Sequence, residues 1–196
     1  VDEFTNAHPK VKLEFTCFED QRTIEEGMLH GEFDCGFIVL PPQEKFFVIP
    51  LVQDPIYVAL SPHHPLAQED FFPREALASE PYIKIRNPGY TEFDAVFDRH
   101  GVVPRTRFVM DNDFAVMGMV NKGLGYSLFP KLILRKAPFQ LARIELEIPT
   151  HRELGIAMRS WDRASMAAKA FVETVRTWVA AWDERVEFDE RWDNLG

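Results

Sequence analysis

The sequence predicts an α/β protein, and three observations carry that expectation. First, Asp113 to Pro130 packs a helix, a tight turn, a buried strand and a proline into eighteen residues. Second, segments of strand periodicity alternate with segments of helical spacing, which implies parallel sheets. Third, 46% of the 196 residues are hydrophobic, enough to build the core of one domain or of two small lobes.

Each element has its own signal. Residues 1–9 read as the end of a helix that breaks at Asn6-Ala-His-Pro9. Val11, Leu13, Phe15 and Cys17 alternate with Lys12, Glu14 and Thr16, the period-two pattern of a half-buried strand near a sheet edge. A helix follows from about Asp20 to His30, with Ile24 and Met28 on one face and Gly31 as terminator. Phe33 to Leu40 is nearly continuous apolar sequence, as in a strand buried on both faces, and Pro41-Pro42 ends it.

Phe46 to Leu60 is a long extended run broken by Pro50 and Pro55. Proline removes ladder donors, so the run suits a segment that leaves one sheet and enters another. Residues 82–86 form a strand. Thr91 and Asp94 have the spacing of a capping box for a helix whose Phe93, Val96 and Phe97 share a face. Gly101 ends it, and Arg107 to Met110 is the next strand.

Asp113 is placed to cap the following helix, with Phe114, Met117 and Val120 on its inner face and Gly123 at its end. Tyr126 to Phe129 is the buried strand, and Pro130 suits the first turn of another helix. Residues 144–148 and 154–159 are further strands. Ser165 caps a last helix striped by Phe171, Val175, Trp178 and Trp182. The acidic residues from Asp183 to Gly196 read as a tail or a surface helix.

Composition excludes several functions. The formal charge of −9, from 22 basic and 31 acidic residues, disfavours DNA binding by this chain alone. No stretch approaches the roughly 18 apolar residues of a membrane span. No basic-then-apolar leader opens the sequence, so the expectation is a cytoplasmic protein without membrane contact. Cys17 and Cys35 read as small buried hydrophobes in a reducing compartment.

Signals for catalysis are weak. Gly123-Leu-Gly125 begins like a dinucleotide fingerprint but follows a helix and precedes a strand, the reverse of what pyrophosphate binding needs. His63 and His64 are adjacent on an extended segment, so their side chains point apart and do not easily share a metal. Asp111-Asn-Asp113 lacks the glycine and glutamate of a calcium loop. No serine has nucleophile-elbow surroundings. The reading is of no catalytic residues, no metal and no cofactor.

Several segments in series resemble the effector-binding domain of LysR-type transcriptional regulators. They are His8-Pro-Lys-Val-Lys-Leu-Glu14, Gly31-Glu-Phe-Asp-Cys-Gly-Phe37, and Pro50 to Ala67 with its His-Pro-Leu-Ala end. Gly101 to Pro104, Gly123 to Pro130 and Ser165 to Phe171 complete the set. The resemblance implies a type 2 periplasmic-binding-protein-like fold, two α/β lobes joined by two crossing strands. The first lobe would hold residues 1–62 and 158–196, the second 63–157. The second crossing would be Leu154 to Ser160.

The resemblance also implies a small-molecule sensor with an effector in the cleft between lobes, working as a homodimer or homotetramer. DNA would be met only through a winged helix-turn-helix that this sequence does not contain. Against the family pattern, the sequence begins within the first helix, so the family's first strand has no counterpart in it. The runner-up is a transporter's solute-binding protein of the same fold, and an enzyme on this fold is the third reading.

Ligands of open α/β sheets bind beyond the carboxyl ends of strands. That rule selects Phe18, Glu19 and Leu40 in the first lobe, and Arg86, Tyr90, Thr91, Asn112, Phe114 and Phe129 in the second. Arg86 is the candidate for an anionic group, since guanidinium pairs bidentately with carboxylate. Its alternative is a solvated surface arginine. Thr91 is equally explained as a helix cap. Free N–H groups near Phe114 suit an anion, and Glu19 would favour an amine or hydroxyl. An organic or aromatic acid is the expected effector.

Overall fold

The computed structural model describes residues 1–181, apart from Glu19, Asn87, Pro88, Tyr90 and Lys136. Trp182 and the acidic end of the chain lie outside the described residues. The chain divides into two compact units, 1–52 with 153–196 and 53–152. The division falls inside two long strands, where the sequence places it at 62/63 and 157/158.

The first unit opens with helix α1 (Asp2–Ala7) and helix α2 (Gln21–His30). Asp20 caps α2 by accepting from the Arg22 N–H, and Gly31 closes it. Strand β1 (Gly36–Leu40) pairs antiparallel with β8 (His151–Met158), from Gly36 opposite Ala157 to Leu40 opposite Glu153. In the sheet β8 lies between β1 and β2 (Phe47–Leu60). Helix α7 (Met166–Ala180), capped by Ser165, brings Phe171 and Val172 onto Phe4, Ile156 and Met158. Gln21 completes the open edge of β1: its side-chain amide accepts from the Val39 N–H at 2.8 Å and donates to the Val39 carbonyl at 2.9 Å.

The second unit is built on the later half of β2. There β2 pairs antiparallel with β6 (Ser127–Pro130) and with β7 (Ala142–Leu146). The short β3 (Phe71–Phe72) runs parallel to β7. Strand β4 (Pro81–Ile85) runs parallel to β5 (Arg105–Met110), and its Tyr82 bridges Tyr126, the residue before β6. Helices α3 (Arg74–Ser79), α4 (Glu92–His100), α5 (Asp113–Asn121) and α6 (Lys131–Leu134) complete it. Val58, Leu60, Phe72, Ile83, Leu128 and Phe129 are sealed in its core. Each such side chain contributes roughly 1.5–3 kcal/mol of burial.

Two glycines make the β6 junction possible. Gly123 has φ 72, the left-handed turn that follows α5. A Cβ on Gly125 would lie 2.3 Å from the Pro81 carbonyl oxygen, because the backbones of β4 and the start of β6 meet there. The Tyr126 hydroxyl donates to the Leu77 carbonyl at 2.6 Å, and the Ser127 hydroxyl to the Ile83 carbonyl at 2.8 Å.

The structure corrects several expectations. Residues 11–18 form no strand, because alternation describes side chains and not the presence of a pairing neighbour. Val11 and Leu13 still pack on the Phe4 cluster, but Cys17 is exposed instead of buried. Strand β1 begins only at Gly36 and leaves Phe37 half exposed, so it is not buried on both faces. The sheets are mixed, because β2 and β8 cross between units and pair antiparallel with their neighbours. Asn112, not Asp113, caps α5, accepting from the Ala115 N–H at 2.9 Å. Phe114 is outside that helix's buried face, which holds Val116, Met117 and Val120.

Candidate functional site

In the second unit, parallel strands β4 and β5 end side by side. The Arg86 N–H donates to the Met110 carbonyl at 2.6 Å, which fixes the residue after β4 beside the end of β5. Two helices then start at this edge. Thr91 caps α4 in a full capping box, with Asp94 accepting from both the Thr91 N–H and its hydroxyl. Asn112 caps α5, which leaves the first N–H groups of that helix without intrahelical acceptors.

The charges at this edge differ in their commitments. Lys84 is held by Asp94 at 3.3 Å. Arg152 is held by Asp54 at 3.0 Å and by Glu92 at 3.3 Å. Asp54 is fully buried and also accepts from the Leu132 N–H at 3.0 Å, so its carboxylate closes the start of α6. Arg86 is exposed, and its guanidinium has no ion pair or hydrogen bond among the described residues. An anion arriving at this edge therefore meets an uncommitted guanidinium on the residue after β4, and α5 starts two residues beyond β5.

Burial alone pushes the Asp94 carboxyl upward. Hydrogen bonds from Thr91 and the Lys84 ammonium outweigh it and hold the group below its ordinary value. Asp94 is thus a stable anion that fastens the cap.

The residues selected from sequence divide clearly. Arg86, Thr91, Asn112 and Phe114 gather at the β4–β5 edge, with the Phe114 ring 61% exposed. The Thr91 hydroxyl is engaged by Asp94 on both sides. Phe129 is fully buried in the second unit's core, so its side chain presents no surface to a ligand. Phe18 and Leu40 belong to the first unit, where the Phe18 ring lies 5.5 Å from that of Phe33. Glu19 and Tyr90 lie outside the described residues. Sequence reasoning missed Asp54, Glu92 and Arg152. The available signal was a carboxylate at Asp54 inside an extended run whose other residues, Gln53 apart, are apolar.

The LysR substrate binding domain family matches residues 1–180. This chain belongs to that family. A relative, the transcriptional regulator YvbU of Bacillus subtilis, is 28% identical over 182 residues, covering 90% of this chain and 60% of its own length. The chain spans little more than half the length of the curated relatives it matches. Among solved structures, the regulatory domain of CcmR from Synechocystis, in complex with 2-PG, has a TM-score of 0.81 at 22% identity, with 91% of this chain and 88% of that one covered. The effector-binding domain of BenM with its effector benzoate has a TM-score of 0.80 at 21% identity, with 93% and 85% covered. These likenesses establish the two-lobed fold that the resemblance implied. No helix among the described residues is long and apolar enough to cross a membrane.

Proposed function

We propose that this LysR-family domain senses a small organic acid through the carboxyl-end edge of β4 and β5. The observation that carries the reading is the exposed, uncommitted Arg86 guanidinium, on the residue whose backbone N–H is bound to the end of β5. Lys84 and Arg152 cannot take an anion without giving up carboxylate partners, and Arg86 can. Phe114 adds an exposed ring suited to an aromatic acid. The benzoate effector of BenM is of this chemical class. In the whole protein the domain acts in a cytoplasmic regulator that forms a homo-oligomer and reaches DNA through a winged helix outside this sequence. The acidic charge of the chain agrees with DNA being met elsewhere.

The test is a thermal-shift and calorimetric screen with benzoate, shikimate, small dicarboxylates, amino acids and sugars. Ligands that bind only the folded state raise its stability with the logarithm of their excess over Kd. At least one acid is expected to shift the melting temperature selectively. Arg86→Ala should weaken that acid about tenfold or more, the scale of a lost charge-assisted hydrogen bond. Unchanged affinity in the variant overturns Arg86 as anchor, and a response confined to sugars or amines overturns the acid class.

A further inference from the structure

The second unit holds a pocket that the reading above does not use. It has a volume of about 610 Å³ and lies between the turn after β2 and the end of α5, lined by Ser61, His63, His64, Asn121, Lys122 and Gln140 among others. Helix α5 starts at the β4–β5 edge, and its nine residues carry the chain about 13 Å away before reaching Asn121.

The turn is rigidly built. The Ser61 carbonyl accepts from the His64 N–H at 3.0 Å, and the His64 carbonyl from the Ala67 N–H at 2.9 Å. The Ser61 hydroxyl oxygen accepts from the His63 N–H, and His64 Nδ1 from the Leu66 N–H at 3.2 Å. That last bond places the His64 proton on Nε2, which faces Glu80 at 3.7 Å. Across the pocket the Asn121 amide donates to the Gln140 carbonyl at 2.7 Å. The last carbonyls of α5, at Gly118, Met119 and Val120, are satisfied by the N–H groups of Lys122, Leu124 and Gly123.

What remains uncommitted is a set of donors. Ser61 is 6% exposed, and its hydroxyl proton has no acceptor among the described residues. The His63 ring and the Lys122 ammonium are exposed and have no partner among them either. No lining residue carries a carboxylate. Glu80, the acid that faces the pocket through His64, is turned toward the imidazole. A hydroxyl and an imidazole N–H on a preorganised turn, with an ammonium at the end of α5 and no competing acid in the lining, match an oxyanion.

We propose that this pocket is a second ligand site, taking a small metabolite with a phosphate or carboxylate group on a polar body. Ser61 and His63 bind the oxyanion from the turn, and Lys122 neutralises it from the end of α5. The site works independently of Arg86, at the opposite end of α5.

The test uses inorganic phosphate as probe on the whole chain at fixed pH and constant ionic strength. Imidazole Cε1–H resonances are followed by NMR and assigned with His63→Asn. A saturable shift of the His63 resonance is expected. Lys122→Glu should weaken the apparent affinity about fivefold or more, the size of one partly exposed ion pair. Arg86→Ala should leave it within about twofold, as expected of sites that share no partner. Lys122 and His63 are exposed, so neither variant threatens the fold. A shift that chloride reproduces, that Lys122→Glu leaves unchanged, or that Arg86→Ala abolishes overturns the proposal.

Discussion

Single side chains here carry separable loads, and the two thiols show it most simply. Cys17 is exposed, whereas burial, reinforced by Asp34, pushes the Cys35 thiol up to about 11. At pH 8 that leaves about one part in a thousand of Cys35 as the reactive thiolate. One thiol should therefore react quickly with a colorimetric disulfide reagent and one slowly. Two equal rates would contradict the burial of Cys35. Gly125 is a second such point. A methyl group there collides with the Pro81 carbonyl, and neither backbone can yield without parting β6 from β4. Gly125→Ala should cost about 1–3 kcal/mol in chemical denaturation, the usual scale of overpacking. In the sequence this glycine stands out only as the second of Gly123-Leu-Gly125, a fingerprint whose context is wrong. A close approach between segments far apart in the chain leaves no local trace, so its larger role was not legible.

At the scale of elements, the helix ends were the most legible features, because a cap is written in residues that lie three apart. Thr91 with Asp94, Ser165, Gly31 and Gly101 all do what their spacing predicts. Strands fared worse, since pairing depends on a partner elsewhere, as residues 11–18 show. The candidate site was half legible. The strand-end rule selects Arg86 and Asn112, which lie just past β4 and β5, but it does not tell an exposed position from a sealed one, as at Phe129. Thr91 sits where cap and ligand readings meet, and stability separates them. Thr91→Ala should lose about 1 kcal/mol, the cost of an absent N-cap. Asp94 gives this cap a pH signature. Its carboxyl is held below its ordinary value, so its stabilisation is present above that value and is lost as pH falls through the lowered one. The stability gap between the native chain and Asp94→Asn should thus be full near pH 6 and shrink below about pH 4. A gap independent of pH would remove Asp94 from the cap. The Asp54–Arg152 pair joins the crossing strands β2 and β8 to α6 and, through Glu92, to α4. Asp54→Asn should cost about 3–5 kcal/mol, because it leaves a mostly buried guanidinium without its closest anion.

Across the whole molecule the apolar material is unevenly shared. The second unit closes one continuous core from Ile56 through Val58, Ile83, Val116, Leu128 and Leu146. Among the described residues the first unit has two smaller clusters, around Phe171 and around Met28, with Phe15, Phe37 and Leu29 exposed. Stability within a protein follows local burial, and amide exchange reports it segment by segment. Amides of β4 and β6 should therefore outlast those of β1 in hydrogen exchange, with β2 changing from the faster to the slower class along its length. An acid bound at Arg86 touches the second unit, so it should add protection first at the ends of β4 and β5 and the start of α5. Equal protection of β1 and β6 without ligand would mean that the two cores open as one cooperative body.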